Sequence, residues 1–389
     1  MSKSDLSILG VVGSSLIIGD DPWSAECWSG SARSLFTELK KQGVLEGAVG
    51  FDIPIWQKYT LALKNIAPSL ADLKKKFALD PAYYAALTKH AGSGLQIPSN
   101  TNVILQLGAI YNMKKIAPSH CKVVSYHDGN VAKFMQSPNF DKRFTPYALK
   151  AMEWERRVYD DLDHIFTMSE YLRQSMIKDF KQPPEKVTNV GVGVNFDVPE
   201  ASEIPEQKNP YDIVFVGREF FRKGGACIIK AFRDVQLEEP EAKLHIIGPS
   251  AEELGSDILK MKNVVHYGFL RRDDANDVAI FKKVMLNSAI GVFPTRFDAF
   301  GIPVLEKMAY EIPCITSNIL AMPEIIDHGK TGFLIDVDDS AALSETILYY
   351  MKNKGVREAH GKLARDLVIN NYTWHTVSGK IIDFTTKHC

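Results

Sequence analysis

The chain has 389 residues, enough that two hydrophobic cores are expected rather than one. Its 46 Lys+Arg nearly balance 47 Asp+Glu, so no global field draws it to nucleic acid or to an anionic membrane. Five cysteines (Cys27, Cys121, Cys227, Cys314, Cys389) stand singly, without CxxC or metal-ligand spacing, which argues against a disulfide framework and for a reducing, cytoplasmic setting.

In chain order, the apolar start from Leu6 to Gly19 falls short of the roughly 18 residues of a membrane helix. Flanked by Asp5 and by Asp20-Asp21, it reads as a buried strand over 7–13 followed by a long loop. A helix is expected from near Ser29 to Gly43, with Ser29 as its N-cap. Residues 56–95 read as a helical insertion. Within it, Lys74-Lys75-Lys76 among Leu70, Leu73, Phe77 and Leu79 fits an amphipathic helix whose lysines face solvent or, less simply, a membrane or anionic partner. Further strands fit 102–107, 122–126 and 164–168, and Trp154, Val158 and Leu162 mark a helix face. The Pro- and Glu-rich stretch from Asn195 to Asp212 reads as an interdomain linker.

Beyond it the pattern becomes regular. Apolar runs at 212–217, 243–248, 263–269, 290–295, 313–318 and 332–336 alternate with helical patterns, implying a parallel sheet covered on both faces. A final stripe of Trp374, Val377, Ile381 and Phe384 implies a terminal helix that docks across the first domain. The expected division is 1–200 with 371–389 as one Rossmann-like domain and 210–370 as the other.

Two segments carry chemistry. Gly217-Arg218-Glu219-Phe220-Phe221-Arg222-Lys223-Gly224 follows a strand and opens a helix, where open parallel sheets bind ligands. Gly217 allows close backbone approach, and Arg218 and Lys223 bring two cations suited to a diphosphate; the plain alternative is a pair of surface charges. The second is Phe297-Asp298-Ala299-Phe300-Gly301-Ile302-Pro303-Val304-Leu305-Glu306. Pro303 suits the first helical position, so amides around Phe300, Gly301 and Ile302 would open an anion site. Glu306, read as a first-turn residue, can accept from two ribose hydroxyls, and Asp298 from a sugar ring; alternatively both carboxylates merely cap and solvate the helix start.

These spacings resemble the retaining glycosyltransferase family 4, the glycogen-synthase and phosphatidylinositol-mannosyltransferase-like group with the GT-B fold. The resemblance is strongest from about Asp212 to Asp336. Its Gly-Arg-x4-Lys-Gly element matches Arg218 and Lys223, implying diphosphate contacts, and its Glu-x7-Glu element matches Asp298 and Glu306, implying sugar and ribose contacts. Asp298 departs from the family's Glu and reaches about one methylene less, which bears on the donor sugar. The segment Trp28-Ser29-Gly30-Ser31 resembles the family's glycine loop, implying donor contact at Ser29 and Gly30. Tyr126-His127-Asp128-Gly129 resembles its His-containing loop, implying that His127 orients the sugar or acceptor. Backbone near Gly248 and at Phe269 and Leu270 is expected to meet the base, with Ala299 alongside the donor.

The resemblance implies an α/β GT-B fold, two Rossmann-like domains whose parallel sheets face a central cleft, with the last helix crossing back. It implies metal-independent sugar transfer, with retention, from a nucleoside diphosphate sugar to an acceptor hydroxyl, and no cofactor. The acceptor (saccharide, lipid-linked glycan or small molecule) is left open. No nucleic-acid contact is expected, and any membrane contact is peripheral. Two other readings stay open, a sugar-nucleotide epimerase on the same fold and a non-catalytic nucleotide-sugar-binding protein. Asp336-Val337-Asp338 is formally a DxD metal motif, but it closes a strand and reads as a turn with Asp338 or Asp339 capping the next helix.

Overall fold

The computed structural model describes residues 2–14 and 21–388; residues 15–20 of the loop expected after the first strand lie outside them. The chain divides into two units, Met1–Asn195 with Trp374–Cys389, and Phe196–Thr373.

The first unit runs β1 (Ile8–Gly13), α1 (Ser31–Lys41), β2 (Leu45–Phe51), α2 (Ile55–Lys64), α3 (Leu70–Ala78), α4 (Pro81–Gly94), β3 (Val103–Leu107), β4 (Lys122–His127), α5 (Val131–Phe134), α6 (Thr145–Asp161), β5 (His164–Thr167), α7 (Glu170–Lys178) and β6 (Val187–Asn189). Its sheet is ordered β2-β1-β3-β4-β5-β6 and every pair is parallel. β1, β3 and β5 are buried along their whole length, as strands covered on both faces must be. Two strands escape the sequence pattern. β2 is a half-buried edge containing Gly47 and Gly50, and β6 has three residues.

The second unit runs β7 (Asn209–Val216), α8 (Gly225–Glu238), β8 (Lys243–Ile247), α9 (Ala251–Leu259), β9 (Val264–Gly268), α10 (Ala275–Asn287), β10 (Ser288–Phe293), α11 (Ile302–Ala309), β11 (Cys314–Ser317), α12 (Met322–Ile325), β12 (Gly332–Ile335), α13 (Ser340–Lys352) and α14 (Lys354–Asn371). Its order, β12-β11-β10-β7-β8-β9, is that of a doubly wound dinucleotide fold. Crossovers diverge between β7 and β10, so the loops leaving those two strands part and leave a crevice at their carboxyl ends.

The last helix, α15 (Trp374–His388), belongs to the first unit. It lies on α1, where Gln42 Nε2 donates to Ser378 Oγ at 2.6 Å and His375 Nδ1 meets Glu38 Oε1 at 2.9 Å. Trp374 Nε1 donates to Asn195 Oδ1 at 2.9 Å. The segment expected to be an interdomain linker packs against the second unit. Phe196 stacks on Tyr310, Arg365 Nη2 donates to the Pro199 carbonyl at 2.6 Å, and Glu203 pairs with Lys282 at 2.5 Å. β7 then starts three residues before the expected Asp212.

Candidate active site

The loop after β7 turns at Gly217 and climbs to α8, whose N-cap is Gly224. Gly224 has φ +86°, and a Cβ there would overlap the carbonyl of Pro294, so only glycine lets this loop lie against the one leaving β10. Arg222 ties the two loops further. Its Nη1 donates to the Phe297 carbonyl at 2.7 Å, its own carbonyl accepts from Arg296 N at 3.1 Å, and its side chain pairs with Glu219. Lys223 is thereby swung into the crevice and buried, 8% exposed, with its Nζ over the Phe293 ring at 5.6 Å.

There it forms an ion pair with Asp298. The other oxygen of that carboxylate, Oδ1, accepts from the amides of Phe300 at 3.1 Å and Gly301 at 2.8 Å. Burial alone would raise the Asp298 carboxyl, but the Lys223 charge and the Phe300 amide outweigh it and hold the pKa below the usual carboxylate value. Two of the three amides expected to stand open for a ligand, those of Phe300 and Gly301, are thus occupied by the chain's own carboxylate in the free protein. Gly301 is the N-cap of α11 in the left-handed region, and Pro303 lies in the first turn.

Arg218 remains exposed at the mouth of the same loop, its guanidinium 5.2 Å from the centre of the Phe269 ring. It makes no ion pair with any described residue. Phe269 is 57% exposed while Leu270 is buried, and Gly248 lies so close to the Gly217 carbonyl that a Cβ would come within 2.5 Å of its oxygen.

Glu306 sits one turn deeper in α11 than the dipole argument assumed; no acidic residue occupies the first turn. It is buried and accepts from Arg272 Nη2 at 2.7 Å. The Arg272 guanidinium lies over the Phe281 ring, 3.7 Å from its centroid, with Phe196 at 5.6 Å. Arg272 was absent from the sequence reading. It stands in the run Arg271-Arg272-Asp273-Asp274, which looks like solvated charge, and its partner is 34 residues away.

In the first unit, the N-cap assigned to Ser29 is a correction. Trp28 and Ser29 take left-handed φ values of 52° and 53°, Gly30 becomes the N-cap of α1, and no side chain caps it. Ser29 is exposed, and its carbonyl accepts from Asn195 Nδ2 at 2.9 Å. His127 ends β4 but is only 1% exposed. Its Nε2 lies 2.8 Å from Ser125 Oγ, its ring packs edge-on to Tyr159, and burial pulls its pKa down to about 3. The imidazole is neutral and enclosed in this structure.

The Asp336-Val337-Asp338 turn is a structural one. Asp338 pairs with Arg296 at 2.8 Å and Asp339 Oδ1 caps the Ala342 amide at 2.9 Å. A separate cavity of about 390 Å³, lined by Lys208, Glu311 and Arg357 among others, includes none of the site residues.

Residues 198–371 match the family described as Glycosyl transferases group 1. The capsular polysaccharide biosynthesis glycosyltransferase CapM of Staphylococcus aureus is 25% identical over 226 residues, 54% of this chain and 57% of that one. Four of the first curated relatives are matched over 72%, 62%, 57% and 37% of their own length. The fold is shared with solved structures at low identity. Sucrose-phosphate synthase from Thermosynechococcus elongatus superposes with a TM-score of 0.68 at 15% identity over 98% of both chains. HepE from Anabaena, solved with UDP and glucose, gives 0.62 at 15% identity over 98% of this chain and 99% of that one. The match to the group 1 glycosyltransferases thus falls on the second of the two six-stranded parallel sheets, and the chain as a whole has the GT-B fold.

Proposed function

We propose that the chain transfers a sugar from a nucleoside diphosphate to an acceptor hydroxyl, with retention of anomeric configuration and without a metal. The observation that carries this reading is the anion cradle at the switch point between β7 and β10. A buried ammonium and two backbone amides already converge there on one carboxylate, Asp298. A diphosphate arriving at that crevice would take over Lys223 and draw on Arg218. The Asp298 oxygen released by Lys223 would then face the sugar hydroxyls.

Charge grows on the leaving diphosphate as the glycosidic bond breaks. Two cations and a helix opening stabilise that charge most when water is excluded. Glu306, held as a carboxylate acceptor by Arg272, suits vicinal ribose hydroxyls. Retention rests on the family alone, and a front-face path in which the leaving phosphate takes the acceptor's proton is its simplest form. The solved relative carrying UDP and glucose supports a uridine donor as the first to try. Four free buried cysteines fit a reducing compartment.

A thermal-shift panel of UDP, GDP, ADP and their sugars identifies the donor, since a tight ligand raises the melting point by mass action. Transfer with that donor should then proceed in EDTA and fall more than about tenfold in Arg218→Ala, the loss of charge-assisted bonds. Near-normal turnover in the variant would remove the reading, a strict Mn²⁺ or Mg²⁺ requirement would remove its metal-free form, and a new sugar isomer from donor alone would make the protein an epimerase.

A further inference from the structure

The helical insertion of the first unit turns apolar side chains outward. On α2, Ile55, Trp56, Tyr59 and Leu63 are 63–69% exposed, and Ile66 and Leu70 just beyond it are 72% and 69% exposed. Trp56, Tyr59 and Leu63 recur at helical spacing and so form one stripe, whereas Leu61 is the buried residue on the opposite side. A single exposed leucine needs no explanation, but a contiguous run of large apolar side chains does.

Lysines rim the stripe. Lys64 follows Leu63, Lys74 stands one turn after Leu70, and Lys76 Nζ reaches back to donate to the Ile66 carbonyl at 3.1 Å. The neighbouring acids are engaged elsewhere. Asp52 pairs with Lys58, Asp72 lies 3.4 Å from Arg143, and Asp80 accepts from Asn65 at 2.7 Å. Lys64 and Lys74 have no acidic partner among the described residues.

We propose that this face docks the protein on an anionic lipid bilayer. Tryptophan and tyrosine settle where acyl chains meet headgroups, and lysine can lay its stem on apolar surface while its ammonium meets lipid phosphate. In a symmetric pair the same rim lysines would meet across the contact, and like charges brought together disfavour a second copy as the occupant. No helix among the described residues is long and apolar enough to cross a membrane, so the contact is one-sided. This inference stands apart from the catalytic reading, because no proposed donor residue takes part in it.

The test is co-sedimentation of the full chain with phosphatidylcholine vesicles made with and without phosphatidylglycerol. Binding should require phosphatidylglycerol, weaken with salt, and fall about tenfold or more in Trp56→Ser/Leu63→Ser at an unchanged melting temperature. Lys64→Glu/Lys74→Glu keeps the stripe and should weaken binding about fivefold per charge, which decides the matter if the apolar variant fails to fold. Absent binding at low salt overturns the proposal. So does equal binding by wild type and both variants, or a concentration-dependent dimer in sedimentation velocity that Trp56→Ser/Leu63→Ser abolishes.

Discussion

At the carboxyl end of β10, Asp298 faces the ammonium of Lys223 and two amides; at the carboxyl end of β4, His127 faces a serine hydroxyl and the edge of Tyr159. The two sheets are alike, yet burial has opposite consequences at their strand ends. At the second unit's site, charges meet in pairs, buried Lys223 with Asp298 and half-buried Arg272 with buried Glu306, although Lys307 beside them is buried with no hydrogen-bond partner. In the first, ionisable groups are buried without an opposite charge and become neutral. His127 is driven down to about 3, and Glu155, which accepts from the Val131 amide at 2.9 Å, is pushed up to about 8. Paired charges can be handed to an incoming ligand. Neutral buried groups set packing and register.

The sharpest way to break this comparison is to unpair the charges. Lys223→Met leaves the Asp298 carboxylate buried beside two amides and no cation. Removing one partner of a buried pair costs about 3–5 kcal/mol, which a urea midpoint reads directly. Turnover should fall more than about tenfold in the same variant, beyond what reduced stability explains. Lys223→Met/Asp298→Asn should regain much of the stability and none of the activity. If the single variant is as stable as wild type, the pair is a surface contact and the cradle argument fails.

The next prediction separates the two carboxylates. Glu306→Ala should weaken nucleoside diphosphate binding about tenfold, the worth of a charge-assisted bond. Asp298→Ala should weaken nucleotide binding less but lower turnover with the full sugar donor. Isothermal titration with the bare diphosphate and with the sugar donor measures both, and the reverse order means the roles are exchanged. Arg272→Ala should track Glu306→Ala, since it strands the same carboxylate.

These residues were unequally legible. Near-continuous apolar runs revealed ten of the twelve strands, because a parallel strand covered on both faces must be apolar throughout. β2 and β6 were missed for the same physical reason in reverse, as one is a half-buried edge with two glycines and the other is too short to show a pattern. Lys223 and Asp298 were legible as residues but not as each other's partners, since 75 residues separate them and only the fold brings them together. Arg272 left no signal at all. The turn at Trp28 and Ser29 was unreadable because left-handed φ is rare in residues other than glycine.

The smallest expected effect belongs to the neutral side of the comparison. His127 ordinarily titrates near 6.5, but in the folded chain it does so near 3. Between those values the unfolded chain binds a proton that the folded chain does not. The His127 contribution is therefore full above about 6.5 and is lost as the pH falls toward 3. At pH 5.5 this amounts to about 1.4 kcal/mol, one pKa unit's worth. His127→Gln keeps a polar group near Ser125 but cannot charge, so its urea midpoint should drop less between pH 7.5 and 5.5 than wild type does. Equal drops would mean that His127 is protonated in the fold and open to solvent. That would return it to the group of residues able to meet a sugar, and the contrast between the two sheets would lose its best example.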